Sequence, residues 1–499
     1  MPFGTALFSF GEYEALGLSI ILQKKEVGME FCREHTNNVR LLSSRLRAGE
    51  SFDIIERHLR VAGEDVCFFY VDGFVKDAEM QRLMQFLLAK KRLGDAEELV
   101  GILPYVEVEL SSGVERTLVS VLSGQTALIS SAFPGEAILI DARTYPARST
   151  AEPTTDRVMQ GSHDGFVETL VMNTALIRRR IRDPRLTMRH FDLGGSSHTD
   201  AVLCYLDGVA DPRLVKELSD KLSRISPKGV CLGYRSLAES LVRRGWLNPF
   251  PKIRVTERPD TASAHLLEGS VLLISDTSPQ VMILPTSIFD FLQQTDDYYF
   301  PPLTGSYLRI VRTLILILSV LITPIWYLCL ENSDTLPQNL HFLVPNDPGA
   351  LPIILQLFLV EIAIDGLKIA SMNTPDMLSN SLSVVGALLL GDFAVTVGWV
   401  CPDVILYMAF VAISGFTQQN LELGYAFKFM RLLMLALVYL LGAWGLAAGV
   451  TVFCILVFTN RTATDLFSYA YPLVPFSKGA MKRLLFRVKK SDFTDSDPQ

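Results

Sequence analysis

"RHLRVAGEDVCFFYVDGFVKDAEMQRLMQFL", Arg57 to Leu87, sets two strand-like runs around a glycine turn, closes the second on Tyr-x-Asp-Gly, and continues into a helix-like stretch. Apolar residues after Lys76 recur at the i, i+3, i+4 spacing of an amphipathic helix. The same order returns in "RHFDLGGSSHTDAVLCYLDGVADPRLVKELSDKL", Arg189 to Leu222, with about three more residues in its hairpin. Both copies carry the lobe turn motif, at Asp72 and Gly73 and again at Asp207 and Gly208. A duplicated strand–strand–helix unit predicts a two-lobed soluble domain of α/β (or α+β) class, with a cleft between the lobes.

Between the copies runs "HDGFVETLVMNTALIRRRIRDPRL", a helix ending in Arg178, Arg179, Arg180 and Arg182 before Pro184 stops it. Positive charge suits a helix C-terminus, and an arginine cluster in an acidic domain points to inter-lobe or inter-subunit salt bridges rather than to nucleic acid. The second lobe ends on "EGSVLLISDTSPQVMILP", a hairpin around Ser-Asp-Thr-Ser-Pro. Tyr298, Tyr299, Phe300 and Tyr307 follow as an aromatic belt of the kind found at a membrane surface.

The chain has 499 residues, 49% of them hydrophobic, and a formal net charge of −7. That acidity excludes nucleic acid as the main partner, while the apolar content points to a lipid bilayer. Between Ser306 and Pro475 the basic residues are Arg309, Arg312, Lys368, Lys428, Arg431 and Arg461 alone. An all-α polytopic membrane domain is therefore expected after the lobes. Its first span is Ile310 to Leu330, about the 20 residues that a hydrocarbon core demands.

Shorter apolar segments follow at Leu351 to Ala370, Leu378 to Val400 and Val404 to Phe416. A long run containing Gly445 and Gly449 at GxxxG spacing comes after them. Arg309 and Arg312, then Lys428 and Arg431, mark cytoplasmic helix entrances by the positive-inside rule. The expected organisation is 1–35 unassigned, 36–160 lobe 1, 161–300 arginine helix with lobe 2 and hairpin, 301–475 transmembrane, and 476–499 a basic then acidic tail. The large N-terminal domain and the tail are both placed in the cytoplasm. The first 35 residues lack a signal-peptide pattern, and the seven cysteines form no CxxC pair, as expected of reduced thiols.

No motif supports catalysis or a cofactor. P-loop, dinucleotide fingerprint, HExxH and clustered His/Cys metal patterns are all missing from the sequence, and "GSHDG" is better taken as a loop before a helix than as a triad. The polar groups in the apolar part are more informative, because charge there is costly. In "MLSNSLSVVGALLLGDFAV", Ser379, Ser383, Gly386 and Leu390 share one helical face. That stripe would either line a pore with a constriction at Leu390 or let two helices pack closely. Asp392 is a pore mouth or a cap.

In "LFLVEIAIDGLKIA", Glu361, Asp365 and Lys368 share another face. Metal binding is the weakest reading there, because further oxygen ligands are lacking. The charges either face water at a vestibule or pair with a neighbour.

These stretches, with "MILPTSIFDFLQQTDDYY" and "SLSVVGALLLGDFAV", resemble the A-subunit family of spore germinant receptors from about Asn37 to Lys478. "GESFDII", "YVDGFVKD" and "CPDVILYMAFVAISGFTQQNLELGYAFKFMR" are similar to its stage V sporulation protein AF branch. The resemblance implies a multi-pass protein of the spore inner membrane. It would assemble as a homo-oligomeric ring that conducts monovalent cations early in germination, beside receptor subunits or with a small membrane partner. It also implies that Ser383 to Leu388 belongs to the pore helix and that a glutamate is usual at Glu361, whereas Asp365, Lys368 and Gln419 depart from the pattern. The rival reading is a non-conducting membrane receptor or scaffold whose lobes bind a germinant or a partner protein.

Overall fold

The computed structural model describes residues 29–145, 161–225, 233–242, 248–294, 296–373, 394–418, 420–460, 462–464 and 467–486. The first lobe has strands β1 (Ile54–Val61), β2 (Glu64–Val71), β3 (Val108–Ser111), β4 (Thr126–Ser130) and β5 (Ala137–Ile140). Its helices are α1 (His35–Leu46), α2 (Asp77–Leu88), α3 (Ala96–Ile102) and α4 (Val114–Leu122). The strands form one sheet in the order β1-β2-β4-β5-β3, and β1 pairs antiparallel with β2 from Ile54↔Val71 to Val61↔Glu64.

Helices cover both faces of this sheet. Leu42, Leu46, Leu118 and Val121 pack with Cys67, Phe69 and Ile129 on one face, and Met80, Leu83, Leu87 and Leu99 pack with Phe68, Leu128 and Ile138 on the other. Double coverage explains why β2 reads as a continuous apolar run, since Val66 through Phe69 are all buried. Full burial of a side chain such as Phe68 or Phe69 contributes about 1.5–3 kcal/mol.

The next helix, α5 (Leu170–Arg180), leads into β6 (Leu186–Leu193), β7 (Thr199–Leu206), α6 (Pro212–Ser223), α7 (Tyr234–Leu241), β8 (Arg254–Thr256), α8 (Pro259–Leu267), β9 (Val271–Ser275) and β10 (Val281–Leu284). The second sheet runs β6-β7-β9-β10-β8, the first sheet's order strand for strand. The β1–β2 turn consists of Ala62 and Gly63, while Gly194 to His198 join β6 to β7, which accounts for the longer second hairpin.

The remainder is helical: α9 (Pro302–Glu331), α10 (Ile353–Asn373), α11 (Pro402–Phe416), α12 (Leu421–Leu441), α13 (Ala443–Thr459) and α14 (Lys478–Leu485). Among the described helices, α9 and α12 are long and apolar enough to cross a membrane, and α11 and α13 are shorter apolar helices. The long C-terminal run breaks at Gly442, whose φ of 56° suits glycine. After the break Gly445 and Gly449 lie against α12: a methyl group at Gly445 would overlap the Leu437 carbonyl, and one at Gly449 would lie 2.7 Å from the Met434 side chain. Small residues at this spacing let the two helices of the hairpin approach closely.

The chain forms two compact units, Met1–Glu152, Asp164–Tyr234 and Glu257–Val281 making the first, and Pro153–His163, Arg235–Thr256 and Met282–Gln499 the second. Within the second, one core joins Phe250, Phe291, Leu316, Phe427, Met430 and Tyr469, and another joins Trp326, Leu357, Val404, Met408, Leu435 and Val438.

Candidate functional site: paired charges inside the helical unit

Helix α10 carries Glu361 and Asp365 one turn apart, and α12 carries Lys428 and Arg431 three residues apart, so each helix presents its like charges on one face. Packing sets the two faces together. Arg431 Nη2 donates to both Glu361 carboxylate oxygens at 2.7 Å, and Lys428 Nζ lies 3.3 Å from Glu361 Oε1 while also pairing with Asp365. Arg431 Nη1 donates to the Ser319 carbonyl of α9 at 3.3 Å, joining a third helix to the cluster. Glu361 and Arg431 are each 5% exposed. Two acids against two bases leave the cluster formally neutral, as burial among apolar helices requires.

Around this core, Lys368, Gln356 and Asp297 find partners of their own. Lys368 stacks its ammonium 5.2 Å from the Phe416 ring centroid on α11. Gln356 donates from Nε2 to the Pro348 and Leu351 carbonyls at 2.6 Å, and its Oε1 accepts from Cys401 N–H at 2.9 Å. At the start of α9, Asp297 is fully buried and accepts from Arg309 Nε at 3.2 Å and from both Arg312 Nη atoms at 3.1 Å. The Tyr298 ring lies 5.3 Å from the Arg309 guanidinium.

These pairs change the reading of the charge pattern. Lys428 and Arg431 sit within α12, paired with Glu361 and Asp365 of α10, and Asp297 pairs with both Arg309 and Arg312. Glu361 and Asp365 both contact bases of α12. The signal was in the sequence: two acids on one apolar segment and two bases on another, each at helical spacing. Ser379, Ser383, Gly386, Leu390 and Asp392 lie outside the described residues.

In the first unit Arg178 is 1% exposed. Its Nε donates to Asp53 Oδ2 at 2.8 Å, and its Nη2 to Asp53 Oδ1 at 3.1 Å and the Leu186 carbonyl at 2.9 Å; Ser51 Oγ also receives Met188 N–H at 3.0 Å. The buried guanidinium thus joins the segment before β1 to the start of β6. The other arginines divide: Arg179 stacks 4.7 Å from the Tyr145 ring, Arg180 Nη2 donates to both Asp164 oxygens at 2.7 Å, and Arg182 reaches Ser123 Oγ at 3.4 Å. Gly73 and Gly208 have φ of 79° and 78°. Burial raises the Asp72 carboxyl above its ordinary range, helped by neighbouring Asp77 and Asp53 and opposed by the Gly73 N–H that it accepts.

A family model described as Bacillus/Clostridium GerA spore germination protein matches residues 41–497. Stage V sporulation protein AF of Bacillus subtilis (strain 168) is 38% identical over 471 residues, covering 93% of this chain and 95% of that protein. From the same organism, an uncharacterized membrane protein, YfkQ, is 28% identical (85% and 84% covered), and spore germination protein KA is 27% identical (90% and 84% covered). Among solved structures, the N-terminal domain of the A subunit of the Bacillus megaterium spore germinant receptor GerK3 aligns with a TM-score of 0.39 at 24% identity, over 51% of this chain and 96% of that one. With a family model matched over most of its length, the chain belongs to the GerA family of spore germination proteins.

Proposed function

We propose that this chain is an integral membrane subunit of an oligomeric monovalent-cation channel that acts in spore germination, in the spore inner membrane. Copies of the chain would form the ring, with receptor subunits or a small membrane protein as neighbours, and the lobes and tail on the cytoplasmic side. The observation that carries the membrane part is the paired cluster of Glu361, Asp365, Lys428 and Arg431. It is enclosed by helices whose outward residues, among them Leu314, Ile317, Leu440, Trp444 and Phe458, are apolar and exposed. Such surfaces suit lipid or further copies rather than water. The pore itself is assigned to the Ser379, Ser383, Gly386 and Leu390 stripe, with Asp392 at its mouth.

The double pairing of Glu361 favours a structural role for that residue and keeps the rival, a non-conducting receptor or scaffold, in play. Cation flux into liposomes containing the full chain separates the readings. A channel gives flux that falls when Ser383 or Gly386 is replaced by a bulky residue; correctly inserted protein that passes no cation sinks the proposal. Glu361→Gln is expected to destabilise the fold of the helical unit by about 3–5 kcal/mol, the cost of breaking a buried pair between α10 and α12. Lower flux with the fold intact would instead return Glu361 to the vestibule.

A further inference from the structure

We propose that Glu56, His58 and Cys67 form a zinc(II) site on the edge hairpin of the first sheet. The two-residue turn at Ala62 and Gly63 sets the register so that His58 faces Cys67 directly across the β1–β2 ladder. Glu56, two residues before His58, points to the same side of the pleat. The Glu56 carboxylate, His58 imidazole and Cys67 sulfur each bring one ligand atom to within 4.8 Å of the others, and His58 Nε2 is already 2.8 Å from Glu56 Oε1.

Thiolate, imidazole and carboxylate are the donor types zinc takes, and three protein ligands leave a fourth, open position for water. Ser43 Oγ on α1 donates to Glu56 Oε2 at 2.6 Å, holding the carboxylate while its other oxygen faces His58. An ion gains access from the sheet edge, because β1 is the edge strand and the His58 side chain is 63% exposed. The ion would be taken by the Cys67 thiolate, its thiol proton leaving to solvent.

The duplication supplies an internal control. The same register positions of the second sheet hold Met188, His190 and Val202, with His190 opposite Val202, and His190 pairs with Asp200 at 2.7 Å. One sheet has the donor set and its copy does not.

The test uses the full chain in detergent, without a histidine tag and stripped by chelator, titrated with zinc alone and with cobalt(II) alone. Expected are one ion per chain, a cobalt–thiolate charge-transfer band and a zinc-dependent rise in the unfolding temperature. Cys67→Ser should abolish the band. Because Cys67 is buried, His58→Ala and Glu56→Gln carry the decision: each should weaken zinc by more than the ~10–100-fold that a lost outer-shell partner costs. Ser43→Ala should weaken it about 10-fold with the band retained, as expected of a positioning residue, and His190→Ala should leave zinc binding unchanged. Less than one zinc per chain, or wild-type affinity in both His58→Ala and Glu56→Gln, would overturn the site.

Discussion

A methyl group at Gly73, in the first lobe's Asp-Gly turn, would lie 3.1 Å from Ala175 and from Val171 on α5; at Gly208, in the second lobe's turn, it would meet nothing within 4 Å. Yet the two glycines share their φ to within a degree, and β2 and β7 share one burial pattern along eight residues. The backbone demand was duplicated; the surroundings were not. The first lobe has a helix against its turn, a buried carboxylate at Asp53 and a cysteine opposite a histidine, whereas at the corresponding turn the second presents an exposed Asp207 that pairs with Arg47.

Arg178 breaks the symmetry most sharply, because it takes a carboxylate from the first lobe and only backbone carbonyls from the start of the second. Arg178→Ala leaves Asp53 charged and buried, and should cost about 3–5 kcal/mol in thermal unfolding of the full chain. Asp53→Leu with Arg178→Met removes both charges and should recover most of that loss. If the single variant melts like the wild type, the guanidinium is not what holds the segment before β1.

The turns give the next effect. Alanine at either glycine must adopt a left-handed backbone, about 1–2 kcal/mol, and at Gly73 it must also displace Val171 or Ala175. Gly73→Ala should therefore lower the unfolding temperature more than Gly208→Ala. Equal losses would mean that α5 yields without cost and that only the φ matters.

The lobes themselves were legible because Tyr-x-Asp-Gly after a two-strand pattern is local information: turn chemistry and the period of two need no distant partner. The strand orders were not, since β3 and β8 are short and sit beyond intervening helices. In the helical unit the opposed charges on α10 and α12 were visible as types, but their pairing depends on how two apolar helices pack, which periodicity does not encode. Likewise Glu56, His58 and Cys67 carry no motif spacing. A hairpin register drawn through the Ala62–Gly63 turn would have placed His58 opposite Cys67, and that step, rather than a search for CxxC, was the missing signal.

The smallest effect concerns the two turn aspartates and is read against pH. Asp72 has a folded pKa raised above its unfolded value, chiefly by burial. The protonated carboxyl is thus the form that the fold prefers: its stabilising contribution is full below the unfolded pKa and is lost as pH rises through the folded one. Asp72→Asn keeps an acceptor for the Gly73 N–H without the charge, so it should raise the unfolding temperature at neutral pH, with the gain closing as pH falls into the carboxylate range. Asp207→Asn removes an exposed pair with Arg47 and should instead lower stability by no more than about 1 kcal/mol, diminishing at high salt. Opposite signs for the two variants at neutral pH would mark the first turn as buried against its surroundings and the second as solvated. The same sign for both would mean that the contrast between Gly73 and Gly208 does not extend to the aspartates beside them.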